Sequence, residues 1–186
     1  MRKTILGLAA GAAAFGAACT SAPAESETNV AEPPAFATPA EAEDYLTKAV
    51  PDAVAANPKY RSKDTGVVTH WMVHSIVFGK TDDGSVEVST DESFDEYRKD
   101  KMESGTHHAR FAVDEVTIEP EVSVHDVTES GKDALGVIFR CKGAPCIHAI
   151  WNGNPSMSAW TDIYIQDDAT RERILAAFRA LKSPGQ

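Results

Sequence analysis

Histidine is the residue type in this chain best suited to bind a metal ion or to move a proton near neutral pH. The sequence contains six histidines. His107 and His108 are adjacent, and with His125 or His148 they could assemble a zinc or copper site. Nothing in their spacing requires a metal, so exposed or hydrogen-bonded histidines are the alternative. We therefore assign no metal and no cofactor, and keep these four residues as candidates.

Motifs of nucleophilic catalysis are missing from the sequence. It contains no Gly-x-Ser-x-Gly, no His-Glu-x-x-His, and no Ser-x-x-Lys followed by its partner motifs. The acidic segment Asp82-Asp83-Gly84 lacks the later glutamate of an EF-hand loop and is typical of a turn. We assign no catalytic residue and predict that the protein is not an enzyme.

Two of the three cysteines, Cys141 and Cys146, are close together in the sequence. Thioredoxin-like redox sites use Cys-x-x-Cys at the start of a helix, which lowers the pKa of the thiol. Here four residues separate the cysteines, and the Gly and Pro among them indicate a turn between two strands. We predict a structural disulfide formed in an oxidising compartment.

The amino-terminal segment is typical of an export signal. Arg2 and Lys3 precede an apolar run of small residues that ends at Ala18 and is too short to stay in a bilayer. We predict a signal peptide over residues 1–18.

The next residue, Cys19, determines where the mature chain starts. Gly16-Ala17-Ala18-Cys19 resembles the lipobox of bacterial lipoproteins, although that pattern prefers Leu or a similar residue where Gly16 stands. The resemblance implies lipidation of Cys19 and a periplasmic or outer-membrane lipoprotein. Cleavage after Ala22-Pro23-Ala24 is the alternative, and it would discard Cys19 and release a secreted protein.

Composition separates a linker from a single domain. Residues 19–37 are mostly Ser, Ala, Pro, Glu and Thr, which predicts a disordered linker, and residues 38–186 suffice for one globular domain. Without Arg2 and Lys3, 16 basic residues stand against 28 acidic ones, a formal charge of −12. This charge disfavours nucleic acid as a partner. A protein or peptide in the cell envelope and, through the anchor, the membrane remain as predicted partners.

Two helices are predicted by capping residues and apolar stripes. Thr38-Pro39 followed by Glu41 is a capping box, and the apolar face of the helix continues to Ala49, with Pro51 as its end or as the start of another turn. Asp167 or Asp168 caps the second helix. Its apolar stripe consists of Ile174, Leu175, Phe178 and Leu181.

The region between the helices reads as strands. Residues 67–78, 85–89, 109–113, 116–119 and 122–127 have strand character, and Pro120 indicates a break between the last two. Residues 92–103 could form a charged surface helix or a strand. Residues 134–165 predict a three-stranded meander with a hairpin at Asn152-Gly153.

This order of elements, about seven strands followed by a C-terminal amphipathic helix, resembles the pleckstrin-homology-like fold between residues 67 and 183. The resemblance implies an α+β domain, an antiparallel sheet rolled against that helix, with the additional N-terminal helix. Such folds bind peptides, lipids or partner domains more often than they catalyse. The basic loop of the phosphoinositide-binding members is absent here.

Trp151 and Trp160 flank the predicted Asn152-Gly153 turn. They could form an exposed aromatic patch for a partner or a glycan, or they could pack in the core. We predict an exported, non-enzymatic binding or envelope-scaffold protein, with a periplasmic metal-binding protein as the alternative.

Overall fold

The computed structural model describes residues 36–99 and 101–183. The signal segment, Cys19 and the predicted linker up to residue 35 therefore lie outside the described residues. The described chain is an α+β domain with helices α1 (Pro39–Ala56) and α2 (Asp168–Ala180) and one antiparallel sheet. The strands are β1 (Lys59–Ser62), β2 (Val68–Lys80), β3 (Val86–Arg98), β4 (Lys101–Ala112), β5 (Val116–Thr128), β6 (Asp133–Cys141), β7 (Ile147–Trp151), β8 (Asn154–Ser158) and β9 (Trp160–Tyr164).

Local capping signals place both helices. The Thr38 hydroxyl accepts from the backbone N–H of Glu41 at 3.2 Å, and the carboxylate of Asp167 accepts from that of Thr170 at 2.8 Å. Both caps confirm the predictions, and Asp167 is the one that caps α2. The helix α1 continues through Pro51 to Ala56, so Pro51 is not the end of the helix, and the alternative of a further turn from Pro51 is confirmed. No helix in residues 36–99 and 101–183 is long and apolar enough to cross a membrane.

The helices pack together over one face of the sheet. The predicted stripe of α2 is fully buried, and α1 buries Ala42, Leu46, Val50 and Val54 at intervals of four residues. Phe139 on β6 lies at the centre of the core, with its ring 4.9 Å from Phe111 and 4.8 Å from Phe178. Phe36, in the last part of the predicted linker, packs on Tyr45 with ring centroids 5.3 Å apart.

The sheet contains nine strands, two more than the predicted seven, in the order β8-β7-β4-β3-β2-β1-β5-β6-β9. Its two outermost strands, β8 and β9, are consecutive in the chain and are separated by Ala159 alone. A single residue spans less than about 4 Å, so the two edges of the sheet meet at Ala159. We call this line of contact between the two edges the seam. The sheet is therefore rolled up, and a face of it encloses an interior.

The predicted meander of residues 134–165 is wrong in its pairing. β6 pairs with β5 and β9, whereas β7 pairs with β4 and β8. The segment between Cys141 and Cys146 therefore carries the chain from one side of the seam to the other and does not close a hairpin. Only the β7–β8 hairpin has the predicted turn, in which Asn152 and Gly153 take φ values of 49° and 80°.

Two further expectations are resolved by the sheet. Residues 92–103 contribute to the antiparallel pair β3–β4 and form no surface helix. Pro120 does not divide the chain into two strands: it lies inside β5, opposite Val137 of β6. Because β1 pairs only with the 126–128 end of β5, no strand on that side requires a donor from Pro120.

The predicted disulfide between Cys141 and Cys146 is present, with Cα atoms 5.7 Å apart. It lies at the seam of the roll, because the backbone N–H of Cys141 donates to the carbonyl of Ala159 at 2.8 Å. The disulfide thus fixes the end of β6 beside the point where β8 and β9 meet.

We expect the double variant Cys141→Ser, Cys146→Ser to lose about 2 kcal/mol of unfolding free energy, because the cross-link closes a short loop. Urea unfolding followed by circular dichroism measures this loss. The wild-type protein in excess reductant is the matched control and should unfold at the same urea concentration as the variant. Equal stability of the oxidised wild type and the variant would contradict a structural role for the disulfide.

Candidate functional site

The rolled sheet encloses a cavity of about 400 Å³. Side chains from β1, β2, β3, β4, β7 and β9 line it, together with residues of β5 and β8. Its walls are rich in aromatic rings, which belong to Tyr60, Trp71, Phe94, Trp151, Trp160 and Tyr164. A cavity of this volume is in the range of small-molecule sites in proteins.

One wall is a cluster of four rings, made by Trp71, Phe94, His107 and Trp151, which we call the ring cluster. Cross-strand pairing brings these residues together, since Trp71 is opposite Phe94 and His107 is opposite Trp151. Trp71 stacks on Phe94 with centroids 5.2 Å apart, and His107 stacks on Trp151 at 4.1 Å. Both Trp71 and Phe94 also contact Trp151, at 6.0 and 5.7 Å.

Gly105 makes room for this cluster. It is opposite Phe94 on the neighbouring strand, and a Cβ atom at Gly105 would lie 2.3 Å from the Phe94 ring and 2.6 Å from Oδ1 of Asn152. The missing side chain lets that amide oxygen accept from the backbone N–H of Thr106 at 2.8 Å. The position therefore ties the β7–β8 turn to β4 at the edge of the ring cluster.

His107 is held by a buried carboxylate. Nδ1 of His107 lies 3.1 Å from Oε2 of Glu92, and the two side chains are only 5% and 2% exposed. This nitrogen and the carboxyl group share a hydrogen bond, while the ring face of His107 stacks on Trp151. A buried polar pair of this kind needs its hydrogen bond, because each partner alone would carry an uncompensated desolvation cost.

Other lining residues carry carboxyl groups. Alternate residues of β9, Trp160, Asp162 and Tyr164, line the cavity, and the hydroxyl of Tyr164 donates to Oδ2 of Asp126 at 2.8 Å. The Tyr164 ring lies 4.5 Å from that of Tyr60. With Glu96 from β3, three acidic residues line the cavity, and among the described residues that line it there is no Lys or Arg.

Burial and neighbouring acids act together on Asp162. Loss of solvent, together with the charges of Glu121, Glu92 and Asp126, raises the pKa of Asp162 to about 7, against the lowering effect of a hydrogen bond with Tyr164. Burial also raises the pKa of Glu121, against the lowering effect of Arg140. Near neutral pH Asp162 therefore retains a proton in part of the molecules, whereas an exposed aspartate would have lost it.

The hydroxyl of Tyr60 lies at the cavity without a hydrogen-bond partner of normal geometry, and the side chain is 3% exposed. Burial raises the pKa of Tyr60 to about 12, against the lowering effect of a hydrogen bond with the Gln166 side chain that lies outside normal geometry. The phenol therefore stays protonated at neutral pH. It leaves a buried donor free to pair with something in the cavity.

The four candidate histidines are not brought together. His107 and His108 are neighbours on β4, so the alternation of a strand sends His107 into the cavity and leaves His108 beside Asp91, with about half its side chain exposed. His125 pairs with Asp64 at 3.1 Å, and His148 is opposite Arg110 on an exposed position of β7. Within the described residues no three His, Cys, Asp or Glu side chains are arranged to hold a metal ion.

Trp151 and Trp160 are both cavity residues, although β9 places Trp160 outside the β7–β8 hairpin. They are 43% and 51% exposed, so they stand where the cavity meets solvent. The sequence analysis missed Trp71, Phe94, Glu92 and Asp162 as neighbours. A usable signal existed in β3, where Val86, Val88, Thr90, Glu92 and Phe94 are the buried alternate positions.

No family of proteins, no curated protein and no solved structure matches this chain. The resemblance to the pleckstrin-homology-like fold stays a prediction. The cavity is therefore the feature from which a function can be inferred.

Proposed function

We propose that the protein is an exported, lipid-anchored binding protein that holds a small organic molecule in the cavity of its rolled sheet and catalyses no reaction. The observation that carries the proposal is the cavity itself, about 400 Å³ in volume and lined by six aromatic side chains of Tyr, Trp and Phe. Aromatic rings present large, rigid surfaces to a ligand at little conformational cost.

The arrangement around the cavity favours binding over stability. Glu121 and Asp126 lie close enough to raise the pKa of Asp162, and a carboxyl group whose pKa is raised by folding opposes folding when it ionises. Groups that destabilise a fold in this way are concentrated at functional sites. His107, in contrast, is hydrogen-bonded to Glu92 and stacked on Trp151, so its side chain has a packing role. This role supports a protein that binds without catalysis.

Export is supported by the signal-like residues 1–18 and by the disulfide, which suits an oxidising compartment. The intact mass of the protein from its own host tests this part of the proposal. We expect acyl chains on Cys19 as the first residue, together with two hydrogens fewer for Cys141 and Cys146. A soluble product that begins at Glu25 would contradict the anchor.

Ligand binding can be measured without a label, because all three tryptophans of the chain line the cavity. We would titrate the protein with benzyltrimethylammonium, cyclohexanol, benzoate and glucose, and follow tryptophan emission and the melting temperature. Saturable change in both signals for at least one compound is the expected result.

The matched control uses the same compounds with the urea-unfolded protein, in which the tryptophans are free in solvent. Its emission should change linearly or not at all. If none of the four compounds gives a saturable signal with the folded protein, the proposed function is wrong.

A further inference from the structure

We propose that the ligand of this cavity is an organic cation, a quaternary or protonated amine that also carries a hydroxyl or carbonyl oxygen. The inference rests on the proposed function and goes further, since it names the chemical class that the cavity selects. Three observations carry it: the sign of the charged groups, the faces of the aromatic rings, and a buried donor without a partner.

The charged groups that line the cavity are all acidic. Glu96, Asp126 and Asp162 come from three strands. Glu96 is paired with Arg98 at 2.8 Å, whereas no Lys or Arg on the cavity wall, among the described residues, balances Asp126 and Asp162. Inside the roll these charges act in a medium of low polarity, where their field is stronger than in water. A cation is the ligand that relieves this field, whereas an anion would be repelled.

The aromatic rings suit an organic cation better than a bare metal ion. The face of an aromatic ring carries negative charge density, and Trp is the strongest of the three aromatic residue types for cations. The cavity contains three Trp side chains, and two of them, Trp71 and Trp151, belong to the ring cluster. No group of metal ligands exists in the described part of the chain, so a metal ion would lack its coordination shell.

Tyr60 supplies the third observation. Its buried hydroxyl lines the cavity and lacks a partner of normal geometry, and a buried donor left unpaired costs free energy. An oxygen atom on the ligand would accept from it. Trp151 and Trp160, both about half exposed, leave an opening through which such a molecule can enter.

The experiment compares choline with its uncharged carbon analogue 3,3-dimethylbutan-1-ol, which has the same shape and the same hydroxyl group. Dissociation constants are measured at pH 8 by tryptophan emission and by calorimetry. We expect choline to bind at least about tenfold more tightly, because a desolvated cation gains from both the rings and the carboxylates.

Variants that remove the charge of a cavity carboxylate test whether the preference for choline arises in the cavity. Asp162→Asn and Glu96→Gln should each weaken choline binding by about fivefold or more and leave the binding of the alcohol unchanged. Asp95→Asn is the matched control, since Asp95 is next to Glu96 on β3 but is absent from the cavity wall and accepts a hydrogen bond from Ser104. This variant should bind both compounds as the wild type does.

The outcomes separate this inference from the proposed function. Equal affinity for choline and the alcohol, or binding of glucose or benzoate without binding of choline, would overturn the cation proposal and leave a binding protein. If neither choline, nor its alcohol analogue, nor any of the four compounds of the first panel binds, both the cation proposal and the proposed function are wrong. Loss of choline binding in Asp95→Asn alone would also exclude the cavity as the site.

Discussion

Replacing Phe139 with alanine is expected to lower the free energy of unfolding by about 4 kcal/mol, because it removes one of the two fully buried phenylalanine rings that join the sheet to the helices. The ring contacts Phe111 on β4 and Phe178 on α2, at 4.9 and 4.8 Å between centroids. Alanine would leave a cavity between Phe111 and Phe178. Neither ring can move into this cavity without losing its present packing contacts. Urea unfolding at several protein concentrations measures the loss.

A matched control for Phe139→Ala is Met102→Ala, which truncates a side chain on β4 that is 60% exposed. Its effect should stay within about 0.5 kcal/mol. If Phe139→Ala costs no more than Met102→Ala, the helix layer does not pack on β6 as described. If Phe139→Ala fails to fold, Phe139→Leu, with an expected loss near 1 kcal/mol, provides the measurement.

The Asp162→Asn variant is expected to be more stable than the wild type at pH 8 by about 3 kcal/mol and equally stable at pH 4. The pKa of Asp162 is about 7 in the folded protein and 3.8 in a model peptide. Between these values the folded state holds a proton that the unfolded state has released, so wild-type stability falls as the pH rises. A difference of about three pKa units corresponds to about 4 kcal/mol, which water in the cavity reduces.

Most of the groups around Asp162 raise its pKa. The charges of Glu92 from β3 and of Glu121 and Asp126 from β5 raise its pKa, and the hydrogen bond with Tyr164 on its own strand lowers it. The facing groups are Glu92, Glu96, His107, Glu121, Asp126, Tyr60 and Tyr164, with Arg140 beside Glu121. These groups are common to both proteins, so the difference between the two stability curves isolates Asp162.

Unfolding by guanidinium chloride at pH 4 to 9 provides the two curves. The matched control, Asp95→Asn, should run parallel to the wild type over the whole range. A constant difference between Asp162→Asn and the wild type at every pH would contradict a raised pKa. If the variant is more stable at pH 8 and also binds choline less well, the carboxylate serves the ligand at the expense of the fold.

Local signals in the sequence predicted the helices and the turn. Thr38, Asp167 and Asn152-Gly153 act on backbone groups within four residues of themselves, so no knowledge of the rest of the chain is needed to interpret them. The cysteine pair was equally readable, because its partners are only five positions apart. The α+β class with an antiparallel sheet followed from these elements.

Pairing between distant strands could not be predicted in the same way. β1 pairs with β5, and β4 with β7, across long stretches of chain, and neither pair is joined by a short turn. Glu92 also made β3 difficult to predict, because a charged residue at a buried alternate position breaks the apolar pattern of a strand. The cavity depends on these pairings, so the candidate site appears only in three dimensions.

The meeting of β8 and β9 at Ala159 has a consequence for the order of folding. The seam of the roll and the stripe of α2 both belong to the last residues of the described chain, yet Ile174, Leu175 and Phe178 complete the core formed with α1 at its beginning. A nascent chain that lacks these residues cannot close its sheet or cover its core. Folding must therefore wait until β9 and α2 have been synthesised and proceed through contacts between remote segments, which is characteristic of millisecond-to-second folders. Such a chain stays unfolded while it is made, the state in which a polypeptide can be threaded through a narrow translocation channel.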